Sequence, residues 1–123
     1  MKNLDQIRAH NALLHKDRIA NSQGGGDAIS GFPMLVLTDG LLAALAFACE
    51  WKNQQSGARK HPGEYTVASA IAEHLCCQGN TICNATDADD LLKQLADHKT
   101  DALLRRATAE ALAFLNYLKR FVA

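Results

Sequence analysis

The chain has 123 residues, 48% of them hydrophobic, and its 13 basic and 13 acidic side chains cancel to a formal net charge of zero. A chain of this size is expected to form one domain over residues 1–123, and the zero net charge excludes the overall field that marks many nucleic-acid or membrane binders, so any anion site must be a local patch. The N-terminal residues contain no apolar signal-peptide region, so we expect a cytoplasmic protein whose four cysteines stay reduced.

Scattered β-branched residues and few aromatics predict an all-α chain, a compact bundle of about six helices around a buried central helix. The first helix is predicted from an Asn3–Gln6 capping pair to about residue 20. Leu4, Ile7 and Leu14 share one face of it, but Asn11 interrupts the repeat. Helix 1 is therefore expected to be only half covered.

Residues 21–26, NSQGGG, predict the first loop, because glycine loses the most backbone entropy in regular structure. A phosphate-binding loop is disfavoured here, since no Gly-Lys-Ser/Thr follows and no apolar strand precedes the glycines. Residues 27–37 then predict either a short helix with Pro33 inside it or two fragments divided at Pro33. The run at 34–37 alone also fits a buried strand, but no second strand is available to pair with it.

Residues 41–49 read LLAALAFAC and have no polar face on a helical wheel. A helix that is apolar all round must be covered on every side, so this run predicts the central helix, beginning after Thr38 and Asp39 and continuing to about residue 54. At 1.5 Å per residue the apolar run spans roughly 14 Å, which is too short to cross a bilayer.

The following segments also carry boundary signals. Residues 55–61 are polar and basic and predict an exposed loop. Pro62 is placed as the first residue of helix 4, with Gly79 as the residue after its end. Thr86 and Asp89 form a capping-box pattern before a short helix 5 that ends near residues 98–99.

The last helix is predicted from a cap at Thr100 or Asp101 to the C-terminus. Its apolar residues recur every three or four positions, at Leu104, Ala107, Ala111, Leu115, Leu118 and Val122, flanked by Leu103, Phe114 and Phe121. The opposite face holds Arg105, Arg106, Ala109, Ala113, Asn116 and Arg120. This face is either a solvated surface of good helix formers, or one where alanines admit a partner closely while arginines present multi-donor forks to phosphates.

Other candidate sites are weaker. His74, Cys76, Cys77 and Cys83 lie within ten residues, but no CxxC pair occurs, so small buried thiols are favoured over structural zinc or redox chemistry. The carboxylates at Asp87, Asp89 and Asp90 are explained by the dipole of the helix they begin. No catalytic constellation stands out, and the sequence predicts neither an enzyme nor a metal or cofactor site.

Three blocks of sequence, in order, carry a resemblance to a known family. They are LDQIRA at 4–9, FPMLVLTDGLLAALAFA at 32–48 and RRATAEALAFLNYLKRF at 105–121. Together they resemble the small subunit of the type III-B (Cmr) CRISPR effector complex. The resemblance implies a compact all-helical, non-catalytic subunit that stacks with copies of itself beside the other Cmr subunits and helps hold guide RNA and target RNA.

Eight basic side chains are candidates for contacts to RNA or to neighbouring subunits. Those inside the resembling blocks are Arg8, Arg105, Arg106, Lys119 and Arg120, and those nominated by local charge alone are Lys52, Arg59 and Lys60. The alternative function is a helical scaffold whose copies contact only proteins, with the arginines at the rim of the contact, where they add little energy.

Overall fold

The computed structural model describes residues 3–53, 57–77, 82–97 and 101–122. Six α-helices follow one another: α1 (Leu4–Asn21), α2 (Gly25–Asp39), α3 (Leu41–Ala48), α4 (Pro62–Leu75), α5 (Ala88–Leu95) and α6 (Asp101–Val122). Within those ranges the β pairing is a single isolated bridge between Trp51 and Arg59, and no strand forms. The predicted all-α helical bundle is confirmed.

Helix α4 contacts each of the other five helices, and eight of its 14 residues are buried. The sequence predicts that α3 is the central helix and that it is covered on every side. That placement is wrong in part, because Ala43 and Ala46 of α3 are exposed while Ala44 and Leu45 on its other side are fully buried. An alanine methyl group costs little in water, so an all-apolar helix made largely of alanine can keep a solvent-facing side.

Helix α3 also ends at Ala48 rather than near residue 54, which lies outside the described residues. Beyond it the chain turns back on itself in an arch formed by residues 50–53 and 57–60. The Lys52 N–H donates to the Ala58 carbonyl and the Lys60 N–H donates to the Glu50 carbonyl, each at 2.9 Å. These backbone groups pair across the arch instead of extending the helix, which is why the prediction was too long.

The loop predicted at the glycine run is limited to residues 22–24, because α2 already begins at Gly25. Gly24 has a φ of 75°, in the left-handed region that favours glycine. A Cβ atom on Gly25 would collide with the carbonyl of Ile19, and one on Gly63 of α4 would lie 2.6 Å from the Gly24 carbonyl. Glycine at positions 25 and 63 thus allows backbone contacts that any side chain would block. The close approach of α4 to this turn outweighs the entropic cost of placing glycine in a helix. Helix α2 runs unbroken through Pro33, which agrees with the predicted alternative of one helix with Pro33 inside it.

Three helix ends differ from prediction by a few residues. Helix α4 begins at Pro62 as expected but ends at Leu75, because the Leu75 carbonyl accepts hydrogen bonds from the N–H groups of Ile82 and Cys83 as the chain returns. Gly79 lies outside the described residues. Helix α5 is capped by Asp87, whose side chain accepts from the Asp90 N–H at 2.8 Å, rather than by Thr86, and it ends at Leu95.

Helix α1 begins at the predicted Asn3–Gln6 capping box, but a different face is buried. The predicted apolar face of Leu4, Ile7 and Leu14 is wrong, since Leu4 is 38% and Leu14 64% exposed and Ile7 is only half-buried. The neighbouring Leu13 is 50% exposed as well. Asn11 and His15 are buried instead. Helix α1 is therefore held against the bundle through polar side chains as well as through Ala12 and Ile19, which makes the groups facing Asn11 and His15 important.

Candidate RNA and subunit interface

One side of α6 carries a row of exposed cations. We define the basic face of α6 as Arg105, Arg106, Lys119 and Arg120, all of which are exposed. Small residues separate them, with Ala109 and Asn116 exposed and Ala113 half-buried. At 1.5 Å per residue the row extends about 22 Å along the helix. The opposite face follows the predicted stripe, since Ala107, Ala111, Leu115 and Leu118 are buried.

Helix α6 itself carries little negative charge to offset this face. Helix α6 contains two carboxylates, Asp101 and Glu110, and Glu110 is buried on the other side. Asp101 lies 3.6 Å from the Arg105 guanidinium, but both side chains are strongly exposed, so the pair contributes little energy and leaves the arginine open to other partners. The basic face is thus a local positive patch on a chain with no net charge.

An apolar groove runs beside the basic face, between α6 and the α2–α3 corner. Its two sections have volumes of about 540 and 420 Å³ and both include Leu112 in their walls. Arg105 and the carboxylate Asp39 line the first section, and Lys119 lines the second. On α2, Met34 is 60% exposed and Leu37, which lines the groove, is 65% exposed. This α2–α6 groove offers a partner an apolar surface with two cations and one carboxylate at its border.

The first sequence candidate, Arg8, is engaged within the fold. Its Nε and Nη2 atoms donate to the two carboxylate oxygens of Glu110 at 2.7 and 2.8 Å, and Nη1 donates to Asp5 at 3.2 Å. The hydrogen bond to Glu110 raises the pKa of Arg8 above its ordinary value. Because this guanidinium fastens α1 to α6 from 102 residues away, we leave Arg8 out of the proposed interface.

Arg59 is likewise engaged, at the base of the arch. Two of its nitrogens donate to the two carboxylate oxygens of Asp89 at 3.1 and 2.7 Å, and one also donates to the Cys49 carbonyl at 2.9 Å. Its guanidinium carbon lies 3.6 Å from the Trp51 ring centre and 3.9 Å from that of Tyr65. Burial acts to raise the pKa of Asp89, but hydrogen bonds from Arg59 and Tyr65 outweigh it and hold that pKa below its usual range. Asp89 is thus a partner of Arg59, not merely a first-turn charge.

The structure places the two remaining candidates, Lys52 and Lys60, on the same arch. Both are exposed, and the Lys60 ammonium lies 3.7 Å from Glu50. The eight nominated residues therefore fall into three groups: four on the basic face of α6, three on the arch, and Arg8 between α1 and α6.

A buried polar network, which the sequence analysis missed, joins α1, α4 and α6. Glu110 accepts from Arg8 and lies 2.9 Å from His74 Nε2, while His74 Nδ1 lies 2.9 Å from the side-chain amide nitrogen of Asn11. An amide nitrogen only donates, so Nδ1 is the acceptor and Nε2–H donates to Glu110. The fully buried His74 ring also stacks on Phe114, with centroids 4.3 Å apart. The network holds a carboxylate inside the bundle by satisfying it from two sides.

All four cysteines lie in the described ranges, and none of them forms a disulfide bond there. Burial raises the pKa of Cys49 to about 12 and that of Cys83 to about 11, as expected for inert thiols packed in a core. Cys76 Sγ accepts a hydrogen bond from the Ala85 N–H at 3.1 Å. In the part of the chain that the structure describes, no three His, Cys, Asp or Glu side chains are grouped to hold a metal ion.

A family model described as "CRISPR-associated protein (Cas_Cmr5)" matches residues 6–123. The chain belongs to this family. The resemblance in the three sequence blocks is thereby confirmed, and this Cas_Cmr5 protein is the small subunit of a type III-B CRISPR complex. Neither the curated proteins nor the solved structures include a match to the chain. Across the described ranges, no helix combines the length and apolar character needed to span a membrane.

A signal for the buried network does exist in the amino-acid sequence of this chain. Glu110 lies three residues after Ala107 and four before Phe114, so it falls on the apolar stripe of α6. His74 similarly follows Ile71 by three residues on the apolar face of α4. A charged residue at a stripe position predicts a buried partner, because an unpaired charge there would be costly.

We expect the protein to lose stability as the pH falls below about 6.5, the ordinary pKa of histidine. Burial lowers the pKa of His74 and of His15 in the folded state. As the pH falls, the histidines of the unfolded chain therefore take up protons at a higher pH than those of the folded chain. The stability from the two neutral histidines is fully present above about pH 6.5. Below it, the free energy of unfolding falls by at most about 1.4 kcal/mol per histidine and pH unit. Melting followed by circular dichroism between neutral and mildly acid pH measures this. His74→Gln should flatten the profile, whereas His10→Gln, at an exposed position, should not.

Proposed function

We propose that this chain is a non-catalytic subunit that stacks with copies of itself beside other Cmr subunits and helps hold guide RNA and target RNA, in the cytoplasm. The observation that carries the proposal is the one-sided row of exposed cations on α6. Arg8 and Arg59 are engaged in internal bidentate pairs, but the arginines of this row point to solvent. The same surface in successive copies would follow one RNA strand.

The chemistry of the basic face suits a phosphate backbone. Arginine presents a planar fork of donors that matches phosphate oxygens, and contacts to phosphate carry no base information. The exposed Ala109 and half-buried Ala113 allow the backbone of a ligand to approach closely between the cations. Binding by one copy should be weak and independent of sequence. Stacked copies linked by their protein contacts would add avidity without any new contact.

Two different apolar surfaces support stacking. The α2–α6 groove and helix α1 lie on opposite sides of α6. Leu112 lines the groove, whereas Glu110 contacts Arg8 of α1, and two residues correspond to a rotation of about 200° around the helix. Helix α1 exposes Leu13 and Leu14. Contact between unlike surfaces of successive copies is heterologous and extends into a filament unless the rotation closes a ring. The α1 leucines of one copy are therefore proposed to enter the groove of the next.

A protein-only scaffold is the second candidate, and the α2–α6 groove is the observation that favours it. Its apolar walls would be the interface, and Arg105 and Lys119 at its border would lie on the rim. The two candidates differ in what the cations of α6 contact, which a charge reversal can test.

The double change Arg105→Glu and Arg106→Glu is expected to weaken retention of target RNA by the reconstituted complex. Helicity and melting temperature should be nearly unchanged, because both side chains are exposed. The dependence of log affinity on log salt concentration should flatten by about 0.7 to 0.9 for each phosphate that the variant no longer binds. The measurement is RNA affinity against salt for complexes with equal occupancy of the wild-type or variant subunit.

The matched control is Lys16→Glu with Lys93→Glu, which changes the net charge equally but alters α1 and α5. This control should leave the affinity and slope close to wild type. Equal effects of both pairs would show that only the net charge matters. Failure of the Arg105 and Arg106 variant to enter the complex would favour the protein-only scaffold.

A further inference from the structure

The arch between α3 and α4 holds the one tryptophan of the chain in a fixed position. Trp51 forms an isolated β-bridge with Arg59 across the arch, which the two backbone hydrogen bonds of Lys52 and Lys60 flank. At the foot of the arch, the rings of Phe47 and His61 stack with centroids 3.8 Å apart. Phe47 belongs to α3 and His61 immediately precedes α4, so this contact holds the two ends of the arch together beside the two helices.

The indole ring is also held by its neighbours. The Arg59 guanidinium lies between the rings of Trp51 and Tyr65, and its bidentate contact with Asp89 connects this stack to α5. Even so, Trp51 is 46% exposed. A large aromatic side chain that is already immobilised loses little conformational entropy when a ligand covers it.

We propose that Trp51 is a stacking platform for an unpaired nucleobase of RNA. Arg59 covers one face of the indole, and the exposed remainder offers a flat π surface to a second ring. Lys52 and Lys60, the residues that follow Trp51 and Arg59 along the arch, are exposed and bring positive charge near the indole for the phosphates of a bound strand, although Lys60 lies 3.7 Å from Glu50. Stacking on an aromatic side chain tolerates every base, because each has a π face, and changes affinity by about 5- to 150-fold per base.

This inference rests on the proposed function only in taking RNA as the ligand, since the arch and the basic face of α6 are different surfaces. It assigns them different parts of the nucleotide. The α6 cations contact phosphates and govern the salt dependence, whereas Trp51 contacts a base and contributes a part of the affinity that salt changes little.

The test uses the intrinsic fluorescence of the full chain, to which Trp51 alone contributes tryptophan emission. At low salt the protein is titrated with a single-stranded uridine oligonucleotide and, separately, with inorganic polyphosphate of equal charge. The oligonucleotide should quench the emission saturably, in step with the anisotropy of a labelled copy, whereas polyphosphate should bind without quenching. Trp51→Leu should weaken oligonucleotide binding about 5- to 150-fold. Trp51→Phe, which keeps a ring over Arg59, should retain most of the affinity and controls for folding.

The outcomes separate the two proposals. The Arg105→Glu and Arg106→Glu protein should show a reduced salt slope but the same quenching at saturation. Binding by anisotropy without quenching, or equal quenching by polyphosphate, would overturn the stacking platform and leave the α6 proposal standing. Quenching by another Cmr subunit but not by RNA would show that Trp51 lies in a protein contact and would overturn the inference. An absence of any RNA binding would contradict both proposals.

Discussion

Replacing Glu110 with alanine is expected to lower the free energy of unfolding by about 3–5 kcal/mol, the range measured when one partner of a buried ion pair is removed. Glu110 is 5% exposed and satisfies both Arg8 and His74. Without it, the guanidinium loses its bidentate partner and the buried His74 Nε2–H loses its acceptor. The arginine is partly exposed, and water reaching it would place the effect toward the lower end of the range. Urea denaturation followed by circular dichroism measures the change.

Two further variants make this result specific to the network. Asp101→Ala removes the other carboxylate of α6, whose pair with Arg105 is exposed, and should change stability by no more than about 0.5 kcal/mol. Glu110→Gln keeps the shape and one acceptor oxygen, so its cost should lie between the two. A Glu110→Ala protein as stable as the Asp101→Ala protein would show that the network adds nothing to the fold.

Helix α6 shows what a sequence alone can predict. Its amphipathic repeat is sustained over 22 residues, and each position that the spacing of three and four residues predicted to face the core is buried or half-buried. The exposed arginines follow from the same repeat. Such periodic information is local, so it needs no knowledge of what packs against the helix.

The partner of a cation can lie far away in the sequence. For this reason, basic residues chosen by charge alone include both arginines in internal ion pairs and arginines exposed to solvent. Arg8 and Arg105 read alike in the sequence, yet Glu110 engages Arg8 from 102 residues away. Arg59 looked like part of an exposed basic loop, but Asp89, 30 residues on, draws it between two aromatic rings. Only the packing of α1 on α6, and of the arch on α5, separates structural arginines from available ones.

The apolar face predicted for helix α1 is wrong because the side that packs on the bundle carries polar residues. Asn11 and His15 are buried, while the apolar Leu13 and Leu14 are exposed. Hydrogen bonding of Asn11 to His74 compensates for its burial, and the exposed leucines are available for a partner. Hydrophobic periodicity takes apolar residues as buried and polar residues as exposed. It therefore assigns the wrong buried face to a helix that packs through a polar network.

The corrected position of α3 makes a sharp test of the core, because neighbouring alanines of one helix differ in burial. Ala44→Asp should lower the free energy of unfolding by about 3 kcal/mol or more, or abolish folding, since Ala44 is 0% exposed and the apolar core around it would leave the new charge unpaired. Ala43→Asp is the matched control, with the same chemical change one residue earlier at an exposed position. An aspartate in a first helical turn interacts favourably with the helix dipole, so the control should lie within about 0.5 kcal/mol of wild type. Urea denaturation of the soluble variants, with circular dichroism as the test of folding, measures both. If the two variants were equally stable, α3 would not pack against α2, α4 and α5 along its Ala44 side; if both unfolded, the helix would be covered all round, as its sequence alone suggests.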